Sequence, residues 1–201
     1  MKQFVLLSTI LLTALSASAQ KKERRTYGID KMTETTVNFK NGEEEERYVS
    51  DVEFYNRDGE WIEKVDYLPD GRIKRIEKRK YAKTNWFGEK KVVEEIVDEP
   101  LDRGVEKTKL EPEYKKEVYT YEKGELVRED TYNRDGELTG WKTFEYNGYG
   151  DLVVEREYKS DGSLDGTEKY FYDKRGLLLK RQETKGSMEV KQEKIYTYEQ
   201  R

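Results

Sequence analysis

The side chains that most often carry chemistry are thinly represented in this sequence, which contains no His and no Cys. Without imidazole or thiol, nucleophilic triads lose their usual base and their most reactive nucleophile, and zinc sites lose their usual ligands. What remains is acid, with 43 Asp and Glu among 201 residues. A carboxylate pair can hydrolyse a glycosidic bond, one acid protonating the leaving oxygen while the other acts as nucleophile or base. At this density acid pairs arise by chance, so their presence selects nothing, and the reaction also needs a pocket that shifts one pKa. No catalytic residue is assigned, and a glycoside hydrolase is kept as the rival class.

Two other constellations could bind. Asn133-Arg134-Asp135-Gly136-Glu137 has the oxygens of part of a calcium loop. An EF-hand loop needs ligands at positions 1, 3, 5 and 12, whereas here only a fragment matches and Arg134 interrupts it. Turn chemistry accounts for the Asn, the Asp and the Gly, so neither metal nor cofactor is expected. The second constellation is aromatic: 16 Tyr, 6 Phe and 3 Trp. Tyr and Trp can stack on sugars or anchor a protein partner. Trp141, Tyr146, Tyr158, Tyr170 and Tyr172 are the candidate contacts, and their competing role is to form the core.

These residues sit in a repeat. Gly124, Gly136, Gly150, Gly162 and Gly176 are spaced 12, 14, 12 and 14 apart. Each of the last four closes one phrase: an aromatic, three residues, Gly, any residue, then Leu or, after Gly176, Leu-Leu. Gly59 and Gly71 open the same pattern with Tyr55 to Trp61 and Tyr67 to Ile73. Fixed-period self-similarity of this kind marks a repeat architecture, and Asp-Gly supplies the positive φ of a hairpin turn. The residue two after each Gly is here termed the inlet, and the aromatic four before the next Gly the outlet. Inlet and outlet are six or eight residues apart throughout, always an even number. Strand side chains alternate with period two, so even spacing predicts strands with inlet and outlet on one shared, aromatic face. The expected fold is all-β: an antiparallel meander of hairpins with a 26-residue period, as an open curled or stacked repeat sheet. Gly59, Gly71, Gly124, Gly136, Gly150, Gly162 and Gly176 are its turns, with Asn85 or Gly88 as a further one.

The chain divides by composition. Lys2, the apolar run from Phe4 to Leu15 and Ala17-Ser18-Ala19 form a signal peptide over residues 1–19, cleaved between Ala19 and Gln20. The mature protein is then expected outside the cytoplasm, periplasmic or secreted, with no stable membrane insertion after cleavage. Residues 20–50 form an N-terminal arm and the first strand or strands, with Asn41-Gly42 as a hairpin turn. Residues 51–97 and 118–201 hold β-repeats. Between them, 98–117 breaks the phase with Pro100, Gly104 and Pro112, as an irregular insertion or a degenerate repeat. Charged residues make up 41% of the chain and the net charge is −4, with both signs interspersed. Nucleic-acid binding therefore has no electrostatic footprint. The regularly placed aromatics argue for a thin folded sheet over disorder.

Asp161-Gly162-Ser163-Leu164-Asp165-Gly166-Thr167-Glu168-Lys169-Tyr170-Phe171-Tyr172 resembles the repeat of MORN-variant proteins, including antitoxin-like ones, and Asp135 to Tyr146 fits the same pattern with Trp141. Tyr172-Asp173-Lys174-Arg175-Gly176-Leu177-Leu178 is similar to the YD repeats of Rhs-type secreted proteins. The resemblance implies a β-repeat scaffold. The expected function is that of a non-catalytic binding or structural module for a protein or cell-surface glycan partner, with self-association open to it. An inhibitor or immunity-like role follows from family analogy alone.

Overall fold

The computed structural model describes residues 22–83, 90–98, 116–186 and 189–201. The signal peptide with its Ala19–Gln20 junction, the turn at Asn85 or Gly88, and most of 98–117 lie outside the described residues. After one helical turn at residues 22–26, the described chain is all strand and turn. The strands are β1 (Ile29–Lys40), β2 (Glu43–Tyr55), β3 (Trp61–Tyr67), β4 (Ile73–Lys83), β5 (Lys90–Asp98), β6 (Lys116–Glu122), β7 (Glu125–Tyr132), β8 (Leu138–Tyr146), β9 (Leu152–Lys159), β10 (Leu164–Tyr172), β11 (Leu178–Lys185) and β12 (Val190–Gln200). They form one antiparallel 12-stranded meander in the order β5-β4-β3-β2-β1-β12-β11-β10-β9-β8-β7-β6. Neighbours in the order are neighbours in sequence except at two places: β1 lies beside β12, and β5 and β6 are the two ends.

The chain separates into two compact units. One holds β6 to β11, the start of β12 and the β1–β2 turn at Phe39–Glu43, and the other the rest of β1 and β2, β3 to β5 and the rest of β12. In the first unit β7 to β11 alternate between 8 and 9 residues, the short and long strands that the 12 and 14 spacings predict. In the second, the Arg201 amide donates to the Gly28 carbonyl at 3.0 Å, and Lys194 and Lys31 pair with Glu34 and Glu199 at 2.8 and 2.6 Å. Its deepest apolar residues are Ile29, Val37, Tyr55 and Val65. Those of the first unit are Leu126, Phe144 and Leu177.

The six turns closed by Gly59, Gly71, Gly136, Gly150, Gly162 and Gly176 are built alike, whereas Asn41-Gly42 and Lys123-Gly124 are two-residue turns with both residues at positive φ. At Asn133–Glu137 the Gly136 amide donates to the Asn133 carbonyl at 3.2 Å, and the Asn133 amide donates to the Glu137 carbonyl at 3.0 Å. This is a type I turn followed by Gly in the left-handed region, φ +82°, the usual three-residue hairpin with its bulge. The Asn133 Oδ1 accepts from the Asp135 and Glu137 amides at 3.0 and 2.9 Å. The oxygen that the calcium reading would use is thus engaged by the turn itself. Asn56 and Asn147 repeat the arrangement, and Asp173 supplies its acidic version.

The register corrects one expectation. Tyr132 pairs with Leu138, but Thr131 pairs with Gly140, so Thr139 is an extra residue. The same shift follows the inlets Trp61, Ile73, Leu126, Leu152, Leu164 and Leu178. A bulge inserts one residue and reverses the alternation beyond it. An even inlet-to-outlet interval therefore puts the two on opposite faces, not on one. Outlets alternate in consequence: Tyr132 and Tyr158 lie on one face, Tyr146 and Tyr172 on the other. The bulge also explains the second glycine of the long strands. A Cβ on Gly140 would stand 2.6 Å from the Tyr158 carbonyl oxygen, and one on Gly166 would stand 3.0 Å from that of Thr184.

Candidate functional site

The five candidate aromatics separate between the faces of the first unit. Trp141 and Tyr158 are direct cross-strand partners on β8 and β9. Their rings stack at 5.2 Å between centroids and 15° between planes. Tyr158 in turn pairs with Leu164 on β10, so an apolar row crosses three strands beside the turns at Gly136 and Gly162. The Arg128 guanidinium, on β7, lies 4.8 Å from the Trp141 centroid and is held by Asp130 at 2.7 Å. Because β7 and β9 flank β8, the indole is covered by Arg128 on one ring face and by Tyr158 on the other. Its edge is what faces outward. Farther along the same face Lys180 caps Phe171 at 4.9 Å, and Phe171 is 41% exposed.

Tyr146, Tyr170 and Tyr172 occupy the opposite face and are tied down. The Tyr146 hydroxyl donates to the Leu126 carbonyl at 3.0 Å, and the Tyr172 hydroxyl to that of Leu152 at 2.9 Å. In the second unit Tyr81 does the same to Trp61 at 2.9 Å. In each case the long-strand outlet grips the inlet of the strand before it, 20 residues back. Burial, with Asp151 nearby, pushes the Tyr172 hydroxyl up to about 12. Burial, with Glu125 nearby, also raises that of Tyr146. The Tyr170 hydroxyl donates to Glu168 at 2.7 Å and lies 3.4 Å from Glu155. Burial and the Glu168 charge push it well above the usual phenol range.

This second face carries most of the unit's acid. Glu155, Glu157, Glu168 and Glu183 line a depression of about 150 Å³ with Lys142, which pairs with Glu155 at 2.7 Å. On β7, Glu129 is raised above the usual carboxylate range by burial and by Glu117. Glu155 and Glu168 share Tyr170 and so form a close acid pair, but the depression is smaller than the roughly 300–1,000 Å³ of a small-molecule pocket. Among the described residues no group of three acids is arranged to hold a metal.

The second unit has a buried polar knot. Asp51, 5% exposed, faces Asp66 across the β2–β3 pair. Lys64 Nζ stands 2.8, 3.5 and 3.8 Å from Asp51, Glu53 and Asp66. The Asp51 oxygens make no aligned hydrogen bond, so the contact with Lys64 is ionic. Burial, with the Asp66 carboxyl beside it, pushes the Asp51 carboxyl up to about 8. Arg79 covers Trp61 at 3.9 Å here, as Arg128 covers Trp141.

Arg128, Lys142 and Asp51 went unremarked at the level of sequence, because which face a charge occupies depends on the bulges. The tyrosine-to-inlet interval of 20 residues was a legible signal.

No family model matches the chain, and no curated protein matches it. Solved structures give distant likenesses. A porin-like protein from Bacteroides uniformis is 13% identical with a TM-score of 0.30, over 78% of this chain and 56% of that one. TcdB2-TccC3 is 13% identical with a TM-score of 0.20, over 74% of this chain and 10% of that one. This chain thus spans little more than half of the first and a tenth of the second.

Proposed function

We propose that this is an extracytoplasmic, non-catalytic β-repeat protein that acts as a binding or structural module for a protein partner. One observation carries the reading. Of the aromatics on the sheet, Tyr146, Tyr170 and Tyr172 have their hydroxyls engaged within the unit, whereas Trp141 and Tyr158 form an outward-edged row capped by Arg128. Trp, Tyr and Arg are the residues that most often dominate protein interfaces. A glycan is the second choice, because sugar stacking needs an open ring face and both faces of Trp141 are covered. An inhibitor or immunity-like role is one form the module can take.

Kinship with MORN-variant and YD repeats belongs to the same proposal. It is supported by the 26-residue interval and by the close backbone approach at Gly140 and Gly166. The hydrolase alternative draws only on the Glu155–Glu168 pair. Hydrolysis of glycosides that is abolished by Glu155→Gln would establish it. The test of the leading reading is affinity capture from the native envelope with the mature chain, run beside a glycan panel. A captured protein supports it; glycan binding with no protein captured overturns it.

A further inference from the structure

Among the described residues, the repeat leaves one of its own anchors without a recipient. In β4, β8 and β10 the outlet tyrosines Tyr81, Tyr146 and Tyr172 donate to the inlet carbonyl of the preceding strand. Those tyrosines are half-buried. Tyr121 holds the same position in β6. It pairs with the inlet Leu126 across the turn at Gly124, with the same register shift behind it. Its hydroxyl would donate toward the edge of β6 away from β7. Among the described residues no strand lies on that edge, since β6 ends the order, and Tyr121 is 46% exposed. A free strand edge is a template for one more strand.

We infer that the outer edge of β6 is a strand-acceptor site, which takes an extended, antiparallel segment of a partner protein carrying an apolar residue and, three positions later, Lys or Arg. Among the internal pairs, β3 on β4 supplies this pattern. Residues gripped by the outlet tyrosines are apolar: Trp61, Leu126 and Leu152. The residue three beyond the inlet faces the residue four before the outlet. Lys64 so faces Glu77, and Glu129 faces Lys142. In the third case Glu155 faces Glu168 with the Tyr170 hydroxyl between them. Four before Tyr121 stands Glu117, so the register that sets Lys64 opposite Glu77 sets a cation of the incoming segment opposite an acid. β3 is the internal model of the ligand: Trp61-Ile62-Glu63-Lys64.

The inference rests on the binding-module reading, but the two fail separately. Envelope capture that Tyr121→Phe leaves untouched sinks only the edge site. The direct test adds a synthetic peptide of the Asn56–Leu68 sequence to the full mature chain and follows peptide fluorescence polarisation and amide hydrogen exchange. The expected result is saturable binding with new protection in β6. Binding should be roughly five-fold weaker in Tyr121→Phe, as for one lost hydrogen bond. It should also weaken in Glu117→Lys and recover there with a peptide carrying Glu in place of the Lys64 equivalent. Because Tyr121 is exposed, its Phe variant should fold, and exchange on the unmodified chain tests the site without any variant. Absence of binding at millimolar peptide, indifference to both the Tyr121 change and the charge swap, or β6 amides already protected without peptide would each overturn it. The last result would mean that the chain itself or a second copy fills the edge.

Discussion

The Tyr172 hydroxyl donates to the Leu152 carbonyl, 20 residues earlier, at 2.9 Å. Tyr146 does the same to Leu126 one 26-residue period before. This bond ties three elements at once: the long strand's end, the short strand's start and the turn just before that start. It also shows why the period is a hairpin, since only every second outlet makes it.

Tyr146→Phe and Tyr172→Phe are therefore expected to destabilise by about 1 kcal/mol each, the usual net value of a hydrogen bond, or more if the carbonyl is left dry. Urea midpoints at constant m check this. Tyr158→Phe, on the other face and without this bond, is expected to change the midpoint least.

The glycines divide by mechanism. Gly136 and Gly162 stand at φ +82° and +87°; a Cβ on Gly136 meets nothing within 4 Å and one on Gly162 makes only ordinary contact with Trp141 at 3.8 Å, so the strain of valine there is of the backbone, roughly 1–3 kcal/mol. Gly140 has ordinary φ but no room, and Gly140→Ala is expected to cost roughly 1–3 kcal/mol through the Tyr158 carbonyl. Asn, which tolerates positive φ, should recover part of the loss at 136 and none at 140. Equal behaviour at both positions in thermal melts would contradict the division.

Asp51 gives the second unit a pH signature. Its folded carboxyl is pushed up to about 8, while the unfolded chain titrates near 4. Between those values the folded state holds a proton that the unfolded state has lost, so stability from this group falls as pH rises from about 4 to about 8. Glu34 works in the opposite sense: burial raises its carboxyl, but Lys194 outweighs burial and lowers it. Its contribution is present at neutral pH and lost as pH falls through the carboxylate range. Asp51→Asn is expected to flatten the descending limb and to raise stability at pH 8, as read by urea unfolding across pH. An unchanged slope would contradict the assignment.

How much was legible follows from what sets each feature. Turns and strand lengths were, because Asp135-Gly136 and its relatives dictate them locally and the even intervals dictate strands. The meander followed from the turns. The sorting of side chains between faces was not, because a bulge after each inlet is made by pairing with the neighbouring strand and leaves no common residue type at the extra position, which is Thr139 or Val153 in some strands and Lys74, Asp165 or Leu179 in others. That one-residue shift brings Trp141 and Tyr158, which simple alternation places on opposite faces, onto one face, and moves Leu152 and Leu164 away from their own outlets. The β1–β12 pairing was equally invisible, since no short-range signal joins residues 29–40 to 190–200.

In the proposed binding module the Trp141 row, not the hydroxyl-anchored tyrosines, meets the protein partner. Quantitative envelope capture with the mature chain, Trp141→Ala and Tyr172→Phe tests it most directly, with circular dichroism confirming that all three fold. The expected result is one protein retained by the parent chain and by Tyr172→Phe and lost, by ten-fold or more, with Trp141→Ala. Equal capture by the parent and by Trp141→Ala would contradict the claim.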